Sequence, residues 1–160
     1  MPVVKVQHNL NDASKPPPRQ PIPPGIYDSL IVNSTVGVTN KTSLSKFTIE
    51  YRLLKTIEGD ETMSGRRVFQ DYVLQPGTDP DMNVRERYRI RQLIDATGVA
   101  FAIDAAGSFE VNTDHMHNKS VRITVSQRPG KQPGPDGSVP IFNNVDRVDT
   151  TVAIDEANVI

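Results

Sequence analysis

Apolar and polar side chains alternate most cleanly at residues 44–54 (LSKFTIEYRLL), where Phe47, Ile49, Tyr51 and Leu53 point one way and Lys46, Thr48, Glu50 and Arg52 the other. A period of two marks a strand with one buried and one wet face. Residues 26–34 (IYDSLIVNS) have the β-branched and aromatic content of an earlier strand, with Ile26, Leu30 and Val32 sharing a face. A turn at 58–65 (EGDETMSG) reverses the chain into a third strand at 66–74 (RRVFQDYVL). After a loop at 76–83, Asn83 is a good N-cap for a helix over 84–97 (VRERYRIRQLIDAT), with Gly98 as its stop. On that helix Ile90, Leu93 and Ile94, together with Tyr88 and Val84, cover one contiguous face. Residues 101–118 are ambiguous, with a second short helix near 108–111 as the expectation. A fourth strand follows at 120–127 (SVRITVSQ), with Val121, Ile123 and Val125 inward. A Pro/Gly-rich loop at 128–140 separates it from a fifth at 141–148 (IFNNVDRV).

The ends read differently. Residues 9–24 are polar and carry Pro16, Pro17, Pro18, Pro21, Pro23 and Pro24, which favours an extended, polyproline-like arm. The division expected is an arm at 1–24, one domain at 25–149 and an acidic tail at 150–160. Apolar residues are 36% and aromatics 6% of the 160, low values that fit an ordered centre with loose ends. The net charge is −1, so general attraction to nucleic acid is absent and any such case rests on where the charges sit. Residues 1–40 carry +1, residues 41–131 carry +2 and residues 132–160 carry −4. With no Cys, disulfides and thiolate chemistry are excluded. No apolar run approaches the roughly 20 residues that span a bilayer, and no signal sequence is evident, so a soluble protein of a cell's cytoplasm is expected.

Three strands, a helix and two strands is the order of the oligonucleotide-binding (OB) fold. The expected fold is therefore mainly β: a five-stranded Greek-key OB-type barrel with one helix between strands 3 and 4. The series PPGIYDSLIVNS, FTIEYRLL, GRRVFQDYVL, VRITVSQ and FNNVDRV resembles a bacteriophage family long described only as a domain of unknown function, whose members look like single-stranded DNA-binding proteins of phage replication and recombination. The resemblance runs from about Pro24 to Val148. Its most specific pieces are Gly65, Arg66, Val68 and Phe69, then Asn144 and Val145 after the Pro/Gly-rich loop, with Gly25 and Tyr27 at the opening. The proline arm and residues 101–118 depart from the pattern. The resemblance implies a single-strand DNA partner in the host cytoplasm and no cofactor.

Single-strand binding needs cations for phosphates and exposed rings for bases. The second and third strands offer Lys41, Lys46, Arg52, Arg66 and Arg67, with Tyr51, Phe69 and Tyr72 as rings; Lys119, Arg122, Arg128 and Lys131 flank the fourth strand. Tyr51 lies on the apolar face, where packing competes with stacking. In a regular strand Phe69 and Tyr72 point to opposite faces, so one of them is outward. Arg85, Arg87, Arg89 and Arg91 form either a solvated helix face or a phosphate-binding edge. His115 and His117, with Asp114 and Asp104 nearby, lack a third imidazole other than His8 in the arm, so a turn surface is the expectation and no metal is called for. No phosphate loop or nucleophile elbow occurs, and Asp79 with Asp81 suit a loop, so no enzyme is expected. The tail ends Asp155, Glu156, Ala157, Asn158, Val159, Ile160, either a frayed end or an acidic lure for replication or recombination proteins. The competing reading is a structural or protein-interaction module of a phage; a homo-oligomer is open in either case.

Overall fold

The computed structural model describes residues 3–7, 9, 11, 20–39, 43–106, 109–130, 133–134 and 137–151. The fold is mainly β, with one α-helix among the described residues. The alternation at 44–54 becomes the centre of β2 (Ser45–Glu58), which pairs antiparallel with β1 (Gly25–Val38) and β3 (Arg67–Val73). After the helix α1 (Pro80–Thr97), β6 (Ser120–Pro129) returns to the free side of β1, and β7 (Ile141–Thr150) pairs with β6. The resulting sheet has the order β3-β2-β1-β6-β7. A fourth long strand lying beside the first is a Greek key.

Phe47, Ile49, Tyr51 and Leu53 are buried, as are Val121, Ile123 and Val125. On β1 the buried set is Tyr27, Ser29 and Ile31, not the Ile26, Leu30 and Val32 face that hydrophobicity favoured. Two polar side chains are tolerated inside because each has an internal acceptor. Tyr27 Oη donates to Pro23 O at 2.7 Å and Ser29 Oγ to Val121 O at 3.2 Å. Where this strand begins, a Cβ at Gly25 would collide with the Glu58 carbonyl, so only glycine fits. Register shifts leave Val32, Leu54, Ile57 and Asp146 as extra residues on their strands. Such bulges bend a strand and increase its twist.

The curled sheet brings β3 and β7, its two edges, face to face. Successive antiparallel pairings make these edges run parallel, and no backbone ladder joins them. The sheet is thus not closed into a barrel by its strands. Side chains stitch the seam instead. In the middle, the buried Gln70 Oε1 accepts from Val145 N at 2.8 Å. At one end Ile22, from the Pro-rich stretch, is fully buried in the core. Its N–H donates to Asn143 Oδ1 at 2.9 Å, while its carbonyl accepts from Asn143 Nδ2 at 2.8 Å and Gln127 Nε2 at 3.0 Å. Arg66 Nη2 holds the neighbouring Gln20 carbonyl at 2.5 Å. The last residues of the expected flexible arm are therefore packed; residues 12–19 lie outside the described residues.

At the other end α1 covers the seam. Glu86 Oε1 accepts from Val73 N of β3, and Gln92 Oε1 from Val148 N of β7, both at 2.9 Å; Arg89 Nη2 lies 3.5 Å from Val145 O. The helix starts four residues before the expected position, because Asp79 caps it, accepting from Asp81 N at 3.0 Å, and Pro80 is preorganised for the first turn. Asn83 sits inside the helix and ties itself to Gly77. Gly98, at φ 68°, ends it as expected. Leu93 and Ile94 are buried and Ile90 partly so, but Tyr88 and Val84 are exposed, since the seam-facing positions beside them are spent on Glu86 and Arg89.

The described residues of 101–118 hold no second α-helix. Phe101–Ile103 (β4) and Phe109–Val111 (β5) pair as a small hairpin, and a 3-10 turn at Thr113–Met116 buries Met116. The β-forming Phe-Glu-Val run outweighs helix propensity once it has a cross-strand partner.

Because Ile22 fills the seam from outside the sheet, Ile22→Ala should lower unfolding free energy by about 2–5 kcal/mol, the range for burying an aliphatic side chain and then removing it. Urea denaturation followed by far-ultraviolet circular dichroism measures it; a change within error would mean that the segment does not pack against the core.

Candidate nucleic-acid interface

The outward face of β2 and β3 is built by the same alternation that fills the core. Along β3, Arg67, Phe69 and Asp71 face outward; along β2, Lys46, Thr48, Glu50 and Arg52 do. Register sets Phe69 opposite Glu50, Arg67 opposite Arg52 and Asp71 opposite Thr48. Phe69 is 57% exposed on this otherwise polar face. Of the two rings sequence left open, it is the outward one.

Tyr51 and Tyr72 are not available to a base. Both are fully buried, their hydroxyls 2.7 Å apart in one hydrogen bond. Tyr72 stacks on Phe47 with centroids 5.1 Å apart, and the Arg89 guanidinium lies 5.2 Å from its ring. A strand that turns Phe69 outward must turn Tyr72 inward at the third position along, through the register Val68, Gln70, Tyr72.

The cations divide into two groups. Lys46 Nζ is 2.8 Å from Asp71 Oδ2, Arg67 Nη1 is 2.6 Å from Glu50 Oε2, and Arg122 binds Asp28 through two bonds of 2.7 and 3.2 Å. Burial pushes the Asp71 carboxyl up, but Lys46 and Thr48 more than reverse this and hold it below its usual range. Arg66 is spent on the Gln20 carbonyl and the Met63 sulfur, a structural clasp. Arg52, Lys119 and Arg128 are exposed and carry no ion pair among the described residues. Lys119 precedes Ser120, whose cross-strand neighbour Leu30 is itself opposite Arg52, so the two cations lie at one level of the sheet. Lys41, Lys131 and the acidic end of the tail lie outside the described residues.

Past the edge of β3 an open groove of about 730 Å³ follows the seam, bounded by Gln70 and Asp71 of β3, Arg85 and Tyr88 of α1, and Arg128 and Asn144. Tyr88 is 68% exposed, and Phe142, opposite Arg128 on the same face as Asn144, is half exposed. These two rings were missed from sequence. Phe142 was legible from its period-two spacing to Asn144 once Val145 is taken as inward; Tyr88 needed the correct helix face. Arg89, grouped by sequence with the helix arginines, is instead turned into the seam beside Glu86 at 3.0 Å. Arg85 and Arg87 are exposed, and Arg91 pairs with Asp95 at 3.1 Å.

Near the 3-10 turn, Ser34 Oγ lies 2.9 Å from His117 Nε2, and Asp114 Oδ1 lies 3.9 Å from the same nitrogen. A hydroxyl-imidazole-carboxylate relay needs its two partners on opposite ring nitrogens. Here both crowd one, and Ser34 is also bonded to Thr113. No group of three metal-ligating side chains forms among the described residues, and no helix among them is long and apolar enough to cross a membrane. No protein-family model matches the chain, and no curated protein matches it in sequence.

Burial pushes the Tyr72 phenol from 10.0 up to about 12, and burial likewise raises Tyr51 well above 10.0. The unfolded chain loses these protons first as pH rises. Stability from this pair is therefore complete below about pH 10 and is lost as pH climbs through about 12. Titration of tyrosinate absorbance should show a late fraction that coincides with unfolding; Tyr27, also buried and raised, contributes to it, so a late fraction reduced in Tyr51→Phe/Tyr72→Phe would tie the remainder to this pair, and an undiminished one would refute the assignment.

Proposed function

We propose that the chain is a sequence-nonspecific single-stranded DNA-binding protein, of OB type, that acts in phage DNA replication or recombination in the host cytoplasm and performs no catalysis. The observation that carries this is Phe69, a large ring exposed at the middle of the β2–β3 face, with Arg67 and Arg52 to one side of it in the lattice of the sheet and Lys46 to the other. In OB folds that face and its adjoining loops take up a nucleic-acid strand. The Greek-key order and the facing edges of β3 and β7 suit a partly open barrel of this kind, with side chains standing in for the last ladder. The resemblance of residues 24–148 to phage single-strand binders points the same way.

Bases would stack on Phe69, and the strand would continue over the seam toward Phe142 and Tyr88. Phosphates would meet three of the cations that lack carboxylate partners among the described residues, Arg52, Arg128 and Lys119. A second reading, a protein-interaction module, is favoured by the ion pairs that cancel Lys46, Arg67 and Arg122.

Titrating fluorescent oligothymidine, beside a duplex of equal length, separates the two. Binding to the single strand should exceed binding to the duplex. With three phosphate contacts, log affinity should fall with log salt at a slope of about 2. Phe69→Ala should cost about 1–3 kcal/mol, the worth of one stacked base, whereas Tyr72→Phe should leave affinity unchanged. Equal affinity for both forms, or indifference to Phe69→Ala, overturns the proposal in favour of the interaction module.

A further inference from the structure

The ion pairs on the outer face are placed around the ring, not scattered. Along β3, Arg67 stands two residues before Phe69 and Asp71 two after, about 7 Å away in each direction at the rise of a strand. Arg67 has Arg52 directly opposite, yet reaches diagonally to Glu50, the residue facing Phe69. Asp71 gathers two donors, Lys46 Nζ at 2.8 Å and Thr48 Oγ1 at 2.6 Å. The ring is therefore flanked on both sides by cations already neutralised from within the chain.

Duplex and single-stranded DNA offer different things to such a face. A duplex offers phosphates but no free base plane, because its bases are stacked on one another; its sequence-independent affinity comes from cations that release condensed counterions. A cation held by its own carboxylate has its counterion built in and gains little by exchanging it for a phosphate. A single strand also offers a base to the ring, and that gain does not depend on the ion pairs.

We infer that Glu50 and Asp71 are selectivity determinants: as internal counterions for Arg67 and Lys46 they suppress the phosphate-driven binding that any nucleic acid could use, leaving the stacking on Phe69 that only an unpaired base supplies. This rests on the reading of the β2–β3 face as a single-strand site. Neither carboxylate touches DNA; each acts through the cation that it holds.

The test uses the full chain, with fluorescent oligothymidine and a matched duplex across a salt series. In Glu50→Gln/Asp71→Asn the slope of log affinity against log salt should steepen by about 0.7 per freed cation for the single strand and about 0.9 for the duplex. Duplex affinity at low salt should rise about tenfold or more by the same relation. Removing both halves of both pairs, Lys46→Gln/Glu50→Gln/Arg67→Gln/Asp71→Asn, should return binding to within about twofold of wild type, because the face regains its original net charge. Unchanged slopes in the double variant, or a large loss in the quadruple one, overturn the inference: the carboxylates would then only brace the strands, or the cations would already serve phosphates. If the double variant does not fold, Glu50→Gln alone, which removes one ion pair, carries the same test at half the slope change. Wild type that binds oligothymidine with slopes the variants leave unmoved defeats this inference alone. Failure of wild type and variants alike to bind oligothymidine defeats the function itself.

Discussion

Two strand edges that face each other without pairing are the constraint around which this structure is arranged. Exposed edge groups are costly to bury and open to pairing with other chains, so a fold must cover or satisfy them. Here three unlike devices share the seam: Gln70 in the middle, Ile22 with its Asn143 and Gln127 clasp at one end, and the polar side of α1 at the other. Each is specific. Gln70 and Val145, or Glu86 and Val73, match only at one setting of the strands, so the clasps define register as well as closing the gap.

This explains which parts of the fold were legible in the sequence. Period-two alternation identified β2 and β6 with their inward faces, because there the buried face is apolar and the rule is obeyed. It misjudged β1, where a tyrosine and a serine face inward and the more obviously hydrophobic Ile26, Leu30 and Val32 do not. No local pattern reveals that Pro23 and Val121 carbonyls wait for those hydroxyls. The helix face failed for the same reason: Glu86 and Arg89 look like solvent-facing residues until the edges they satisfy are known. The pattern cannot show Ile22 to be core, since it follows a proline run and its partners lie more than a hundred residues away.

The candidate site shows the same division. That one ring of Phe69 and Tyr72 points outward follows from strand geometry alone. Which one does so depends on the hydroxyl pair with Tyr51, a cross-strand fact. Counting lysines and arginines overstated the positive face, because a count does not see that three of these cations sit beside carboxylates on neighbouring strands. Net charge near zero is here less a property of the whole than of the pairs from which it is composed.

The clasp on Ile22 spans 121 positions of sequence, and joins the stretch before β1 to β7. Chains are synthesised from the N-terminus, at about 5–20 residues each second. The segment that completes the core thus emerges before its partner and waits until β7 has been made. Its prolines suit that interval, since a stretch with few backbone donors and little apolar surface has little to misfold with. The core is sealed by a stretch made before the sheet, but only after the strand that receives it has been made.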